Sequence, residues 1–197
     1  MTSRWQASIS FSTGAQDILQ EEGVAALSVH HIAKRAGLST MGVYSYFGGK
    51  EQVCDRLHIT GFRDLAAAVS KARYEGDPEA AVVGSTRIFV DFYKRNTNRY
   101  ALMFGMGATG CSPSKQTRRA AQESFAVAAG LVQPVKGEAA CDDPSAQRAA
   151  SALVYQSWAC THGFIAIKEH SDIISGGEWD KLAIESERQL IRGRMQG

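Results

Sequence analysis

The sequence predicts an all-α protein. Three observations carry this: apolar residues recur at three- and four-residue spacing in one segment after another, Gly, Pro and capping residues stand at the segment borders, and the composition of the 197 residues, 44% hydrophobic and 21% charged, is that of a globular chain. The expected organisation is an N-terminal three-helix domain over residues 1–49 and a C-terminal bundle of about six helices over residues 50–197.

The first helix is expected over residues 5–22, with Phe11, Ala15, Ile18 and Leu19 inward and Gly23 ending it. Ser8, Ser10, Ser12, Thr13 and Gly14 are poor helix formers, and Gly14 alone costs about 1 kcal/mol relative to Ala, so fraying of the first half is expected. Val29, Ile32, Ala33 and Ala36 then give a second helix one apolar side, with Ser28 as N-cap and Gly37 at its stop. Leu38 can plug the turn and Ser39 caps a short third helix from Thr40 to about Tyr46, held inward by Val43 and Phe47. Two short helices meeting at a Gly turn suggest a helix-turn-helix. In that geometry the start of the second helix faces base edges in the major groove, while flanking groups hold phosphates. Thr40 and Met41 are the base-contact candidates. Gly42 would let backbone approach DNA, Tyr44 and Tyr46 can donate to phosphate oxygens, and Lys50 sits at the next helix N-terminus. The other reading of these residues is an exposed short helix with ordinary turn chemistry.

From Lys50 a long helix is expected to about Tyr74, with Val53, Leu57, Ile59, Phe62, Leu65, Ala66 and Val69 at helical spacing. After a break at Glu75–Pro78, a helix over Ala80–Asn96 crowds Val82, Val83, Ile88, Phe89, Phe92 and Tyr93 onto one face. Tyr100, Leu102, Met103 and Phe104 suggest buried turns. Gly105, Gly107 and Gly110 match the letters of a dinucleotide fingerprint, but no strand pattern precedes them, so a helix-to-helix loop is the reading. Pro113 is expected to start a helix over 114–132, whose basic residues Lys115, Arg118 and Arg119 read as a solvated face. Beyond a loop at 133–143, Asp142 or Asp143 can cap a helix from Pro144 to about His170 that is rich in small residues. A last helix, Glu178–Met195, offers Trp179, Leu182, Ala183, Leu190 and Ile191 as partners to it, and such a pair suits a dimer.

The ordered run from Ile18 to Val53, with I-A-x-x-A-G-L-S through the turn and V-Y-x-Y-F-x-x-K-E after it, resembles the DNA-binding domain of TetR-family transcriptional regulators. The resemblance implies a DNA-facing set of Ser28, His30, Ser39, Thr40, Met41, Tyr44, Ser45, Tyr46 and Lys50, to which spacing adds Gly42. It also implies a homodimer joined through the last two helices, a double-stranded operator as partner, and repression relieved by a small-molecule inducer. Two recognition helices about 34 Å apart would read a palindrome, and a ligand preferring one spacing of the heads would shift DNA affinity. Trp158, His162 and Gly163 spell W-x-x-x-H-G, similar to the signature of the WHG subgroup of TetR C-terminal domains. Phe89, Phe92, Tyr93, Tyr100, Met103, Phe104, Phe125, Trp158 and His162 are the candidate lining for a small apolar or aromatic ligand. Equally, they read as core.

Composition bounds the rest. No apolar run approaches the roughly 20 residues of a membrane span, and the N-terminus lacks a secretory pattern; a cytoplasmic location is expected. Cys54, Cys111, Cys141 and Cys160 are scattered without a C-x-x-C pair, so they read as reduced core thiols, with neither a zinc site nor a disulfide framework indicated. No metal or cofactor is expected. Net charge is +2, and in residues 1–60 five cations are matched by five anions, so charge does not support DNA binding and the motif must carry it. That neutrality keeps open a helical interaction module without DNA binding. A small helical enzyme is a further alternative, but Cys160 and His162, two apart on one helix, point in different directions and make no nucleophile–base pair.

Overall fold

The computed structural model describes residues 4–71, 77–105, 110–131 and 143–195, and the regular elements among them are helical. In order they are α1 (Arg4–Glu22), a short 3-10 turn (Val24–Ala26), α2 (Val29–Ala36), α3 (Thr40–Phe47), α4 (Lys50–Val69), α5 (Pro78–Arg95), α6 (Thr97–Phe104), α7 (Lys115–Leu131), α8 (Pro144–Ser175) and α9 (Trp179–Met195). The all-α expectation holds. The expected last turn of the fourth helix to Tyr74, Gly107, the loop over 133–142 and Cys141 lie outside the described residues.

Two compact units emerge, one of Met1–Arg63 with Tyr93–Ala121 and the other of Asp64–Phe92 with Gln122–Gly197. In the first, Phe11, Ala15, Ile18 and Leu19 of α1 bury against Ile32 and Ala33 of α2, Val43 and Phe47 of α3, and Val53 and Leu57 of α4. Full burial of the Phe, Ile, Leu and Val side chains among them stabilises by roughly 1.5–3 kcal/mol each. α1 is helical from Arg4 onward, through the poor helix formers of its first half. Its buried Gly14 lies where α1 meets α2, and a Cβ there would stand 3.5 Å from the Ala36 amide nitrogen.

The second half of this unit ties α4 to α6 and to the segment before α7. His58 is buried, its Nδ1 2.9 Å from the Cys54 carbonyl oxygen and its Nε2 2.9 Å from that of Leu102. Phe62 meets Phe104 edge-on, and the Tyr100 ring packs between Tyr93 and Phe104. Gly61 packs closely here: a Cβ would lie 2.5 Å from the Met103 sulfur, so a side chain would require the flexible methionine to shift. Asp55 reaches across to the start of α7, its Oδ1 accepting from the Ser114 amide at 3.1 Å and from the Thr117 hydroxyl at 2.8 Å. Ser114 in turn accepts from the Thr117 amide and caps α7, so Pro113 stands outside the helix rather than starting it.

One expectation is overturned here: Cys54 and Cys111 are joined by a disulfide, with Cα atoms 6.0 Å apart, within the span that a bridge needs. Spacing rules did not find it because the partners are 57 residues apart and meet only through the fold.

In the second unit α8 and α9 pair along Ala150, Ser157, Thr161 and Ile165 on one side and Trp179, Ala183, Glu187 and Ile191 on the other, all buried. Asp143 caps α8 by accepting from the Ser145 amide, and Pro144 occupies the first turn, where its missing N–H costs nothing. The helix runs to Ser175, past the expected His170, and ends at Gly176 in the left-handed region. Glu79 of α5 receives Arg192 through two hydrogen bonds of 3.0 and 3.1 Å, with Arg188 at 3.4 Å.

Candidate nucleic-acid interface

Local chemistry shapes the α2–α3 corner. The Ser28 hydroxyl accepts from the His31 amide at 3.1 Å and the Ser39 hydroxyl from the Gly42 amide at 3.2 Å, so each short helix has one free N–H satisfied by its own N-cap. Gly37 adopts φ 65°, and the Leu38 amide returns to the Ala33 carbonyl at 2.9 Å, closing α2 in a Schellman-like end. Leu38 packs half-buried against the core, as a plug should.

With Val43 and Phe47 inward, Thr40, Met41, Tyr44 and Ser45 face outward from α3. Met41 is 75% exposed and Tyr44 55%. An apolar thioether and a phenol held in water on a well-packed helix have no role in the core of this unit. Ser28, His30 and Ser39 are also exposed. Tyr46 is half-buried, its ring 5.7 Å from that of Phe11. Gly42 has a reason other than DNA approach: a Cβ would sit 2.8 Å from Cζ of Phe11, so the bare α-carbon is what lets α1 pack on α3. Lys50, half-buried on the first turn of α4, extends its Nζ toward Gly110.

The charges of this corner are partly consumed internally. Arg35 Nη2 donates to Glu21 Oε2 and to Glu22 Oε1, both at 2.8 Å, and these hydrogen bonds push the guanidinium pKa further up. His31 lies 3.4 Å from the same Glu22 and within 3.2 Å of the Ala26 carbonyl oxygen. Arg56 covers the Phe47 ring at 4.8 Å. Sequence neutrality thus becomes a set of specific pairings between α1 and α2.

The candidate ligand residues fall in both units. Tyr93, Tyr100, Met103 and Phe104 belong to the first, where Tyr100 meets Tyr93 edge-on and Phe104 at a tilt; Phe89, Phe92, Phe125, Trp158 and His162 belong to the second. Trp158 and His162 are in ring contact at 5.4 Å, and burial holds the His162 pKa below its ordinary value. A cleft of about 200 Å³ in the first unit is lined by Gln16, Gln20, Lys94, Arg95, Asn98 and Arg99 among others and includes none of the nine. Cys160 is beside Glu187 rather than paired with His162, and burial lifts its thiol pKa to about 11. Among the described residues no three His, Cys, Asp or Glu side chains gather as a metal site, and no helix is long and apolar enough to cross a membrane.

Sequence reasoning missed Asp55, His58, the Cys54–Cys111 pair and Glu187. Only Glu187 left a signal, a carboxylate four residues after Ala183 and four before Ile191 on an otherwise apolar stripe.

Comparison with known proteins bears on both units. The family model described as bacterial regulatory proteins, tetR family, matches residues 13–57, and the model described as tetracyclin repressor-like, C-terminal domain, matches residues 82–175. The chain belongs to the TetR family. Among curated relatives of this TetR-family chain, the HTH-type transcriptional regulator Rv1816 of Mycobacterium tuberculosis is 27% identical over 95 residues, which cover 47% of this chain and 41% of that protein. The same identity and coverage hold for the HTH-type transcriptional regulator Mb1846 of Mycobacterium bovis. The chain therefore matches less than half the length of these relatives. Solved structures share the fold over nearly the whole chain. SCO4313 superposes with TM-score 0.73 and 23% identity, covering 96% of this chain and 97% of that one. A TetR-family transcriptional regulator from Streptomyces coelicolor gives 0.58 and 21%, covering 97% and 96%. The SmeT–triclosan complex gives 0.53 and 16%, covering 92% and 89%.

Proposed function

We propose that this TetR-family chain is a homodimeric, ligand-responsive transcriptional repressor that reads a palindromic operator through α3. The observation that carries the reading is the exposed face of α3, where Thr40, Met41, Tyr44 and Ser45 project from a helix fixed by two serine caps and a buried Val43–Phe47 edge. Thr40 and Met41 meet base edges; Ser28, His30, Ser39, Tyr44, Ser45, Tyr46 and Lys50 hold or approach the phosphates. Gly42 belongs to this set through the helix it allows to seat.

Dimerisation is supported by an exposed stripe on α8, in which Ala152, Tyr155, Ala159, Gly163, Ala166 and Ile167 follow helical spacing with little charge. Leu182 adds an exposed apolar side chain on α9. The ligand reading rests on the aromatic candidates named from the sequence and on SmeT, a fold relative solved as a complex with triclosan. Trp158–His162 ring contact supports the WHG-type subgroup assignment. The division into a DNA-binding head over 1–49 and a regulatory body over 50–197 follows from the same reading, with α4 as the connecting lever.

The test is operator binding to DNA from upstream of the protein's own coding region, measured by fluorescence anisotropy against salt. Lys50→Ala is expected to weaken binding to all sequences alike and to lower the salt slope by about one. Thr40→Ala is expected to change sequence preference more than overall affinity. Loss of preference in neither variant, with wild-type affinity independent of sequence, would reject the reading.

A further inference from the structure

We propose that Cys54 and Cys111 are a reversible dithiol–disulfide couple that sets how firmly the helix-turn-helix unit holds DNA. The DNA part of this inference rests on the function proposed above.

Position is the first argument. Cys54 lies one turn after Lys50 on α4, and Cys111 lies three residues ahead of the Ser114 cap of α7. The bond closes a loop across 57 residues of separation, joining the α4 start to the segment between α6 and α7. It does so beside two further ties of the same pair of elements, the Asp55 carboxylate on Ser114 and Thr117 and the His58 imidazole on Leu102. Breaking it removes one tie from a joint that positions the candidate phosphate-holding end of α4.

Chemistry is the second. Compartments that hold bacterial DNA are kept reducing by thiols, and disulfides that form there are typically transient, catalytic or sensing ones. Cys111 is 8% exposed and Cys54 1%, so an incoming thiolate reaches the Cys111 sulfur first. With a dithiol as reductant, its thiolate attacks Cys111 Sγ, the Sγ–Sγ bond breaks, and Cys54 leaves as a thiolate that takes up a proton. The second thiol of the reductant then displaces Cys111 from the mixed disulfide. The protein gains two electrons and two protons, and the reductant leaves as a cyclic disulfide. Reoxidation by a low-molecular-weight disulfide reverses both steps. Cys160, beside the Glu187 carboxyl with its thiol pKa raised by burial, is a poor competitor in this exchange.

Constraint gives the sign. A joint with one fewer tie has more freedom to lose when DNA fixes it, so the oxidised form binds better.

The experiment compares full-length protein equilibrated with reduced or oxidised dithiothreitol. Mass spectrometry after alkylation without reductant should find the Cys54–Cys111 cross-linked peptide only in the oxidised sample. Operator affinity should fall at least about fivefold on reduction, and the melting temperature by about 5 °C or more. A Cys54→Ala/Cys111→Ala variant should bind like the reduced form and ignore the reagent, whereas Cys160→Ser should respond like the wild type. Free thiols at both positions in the oxidised sample, or equal affinity in both states, overturn the proposal even if the double variant does not fold. A reagent-dependent melting shift without DNA binding in either state would keep the couple and reject the function on which its role depends.

Discussion

Gly42 and His58 are single residues on which helix placement depends. At Gly42 the obstacle to a side chain is the Phe11 ring, which is 1% exposed and packed against Tyr46 and Phe47. Gly42→Ala would raise helix propensity yet force that ring to move, and overpacking of this kind costs about 1–3 kcal/mol. The expected result is a net loss of stability in urea unfolding, and a stabilised variant would refute the packing role. His58 faces two carbonyl oxygens, and a neutral imidazole, with one N–H, satisfies only one of them at a time. Neither role was legible beforehand. Gly42 reads in sequence as an exposed helix position, and only the approach of α1 gives it a neighbour.

Helices as units were legible where their signals are local. Ser28, Gly37, Ser39 and Asp143 fixed starts and stops through hydrogen bonds to backbone within a few residues, and the structure has each of them where the pattern expected it. Pro113 misled because Ser114, rather than the proline, caps α7. The α8–α9 seam contains the least legible feature, a carboxylate on an apolar stripe. Glu187 is inaccessible to solvent; burial pushes its pKa from an ordinary 4.5 up to about 7, against hydrogen bonds from Ser157, Thr161 and Cys160 that pull it down. Its Oε2 has no hydrogen-bond partner among the described residues. The folded chain therefore holds a proton that the unfolded chain releases near pH 4.5. Stability from this group is full below that value and is lost as pH rises toward 7, by roughly 3 kcal/mol in all. Glu187→Gln should flatten that part of the profile and leave the variant more stable than wild type at pH 8. Denaturant unfolding at pH 5 and pH 8 measures it, and parallel pH dependence in the two proteins would exclude Glu187 as the cause.

For the whole molecule, the exposed apolar stripe of α8 is the surface assigned to a second copy in the proposed homodimer. Ile167→Glu combined with Leu182→Glu is expected to yield a monomer in sedimentation. Operator affinity should then fall about a hundredfold or more, because two linked heads bind far more tightly than one. A dimer that survives both charges would move the interface elsewhere. Fold class was legible at this scale because periodicity samples the whole chain. Long-range pairings such as Cys54–Cys111 were not, since no local spacing encodes which distant segments meet.

The Arg35 bridge to Glu21 and Glu22 also bears on how such a protein would travel along a chromosome. Attraction to arbitrary DNA grows with the number of uncommitted cations, each releasing a counterion from the duplex. Of the cations in residues 1–49, Arg4, Lys34 and Arg35, the last is engaged by its own carboxylates, which leaves fewer charges to hold random sequence. For the proposed dimer, more molecules would then remain in solution, and operator occupancy would depend on direct encounters and on a two-headed grip, with less loss to the vast excess of competing sites.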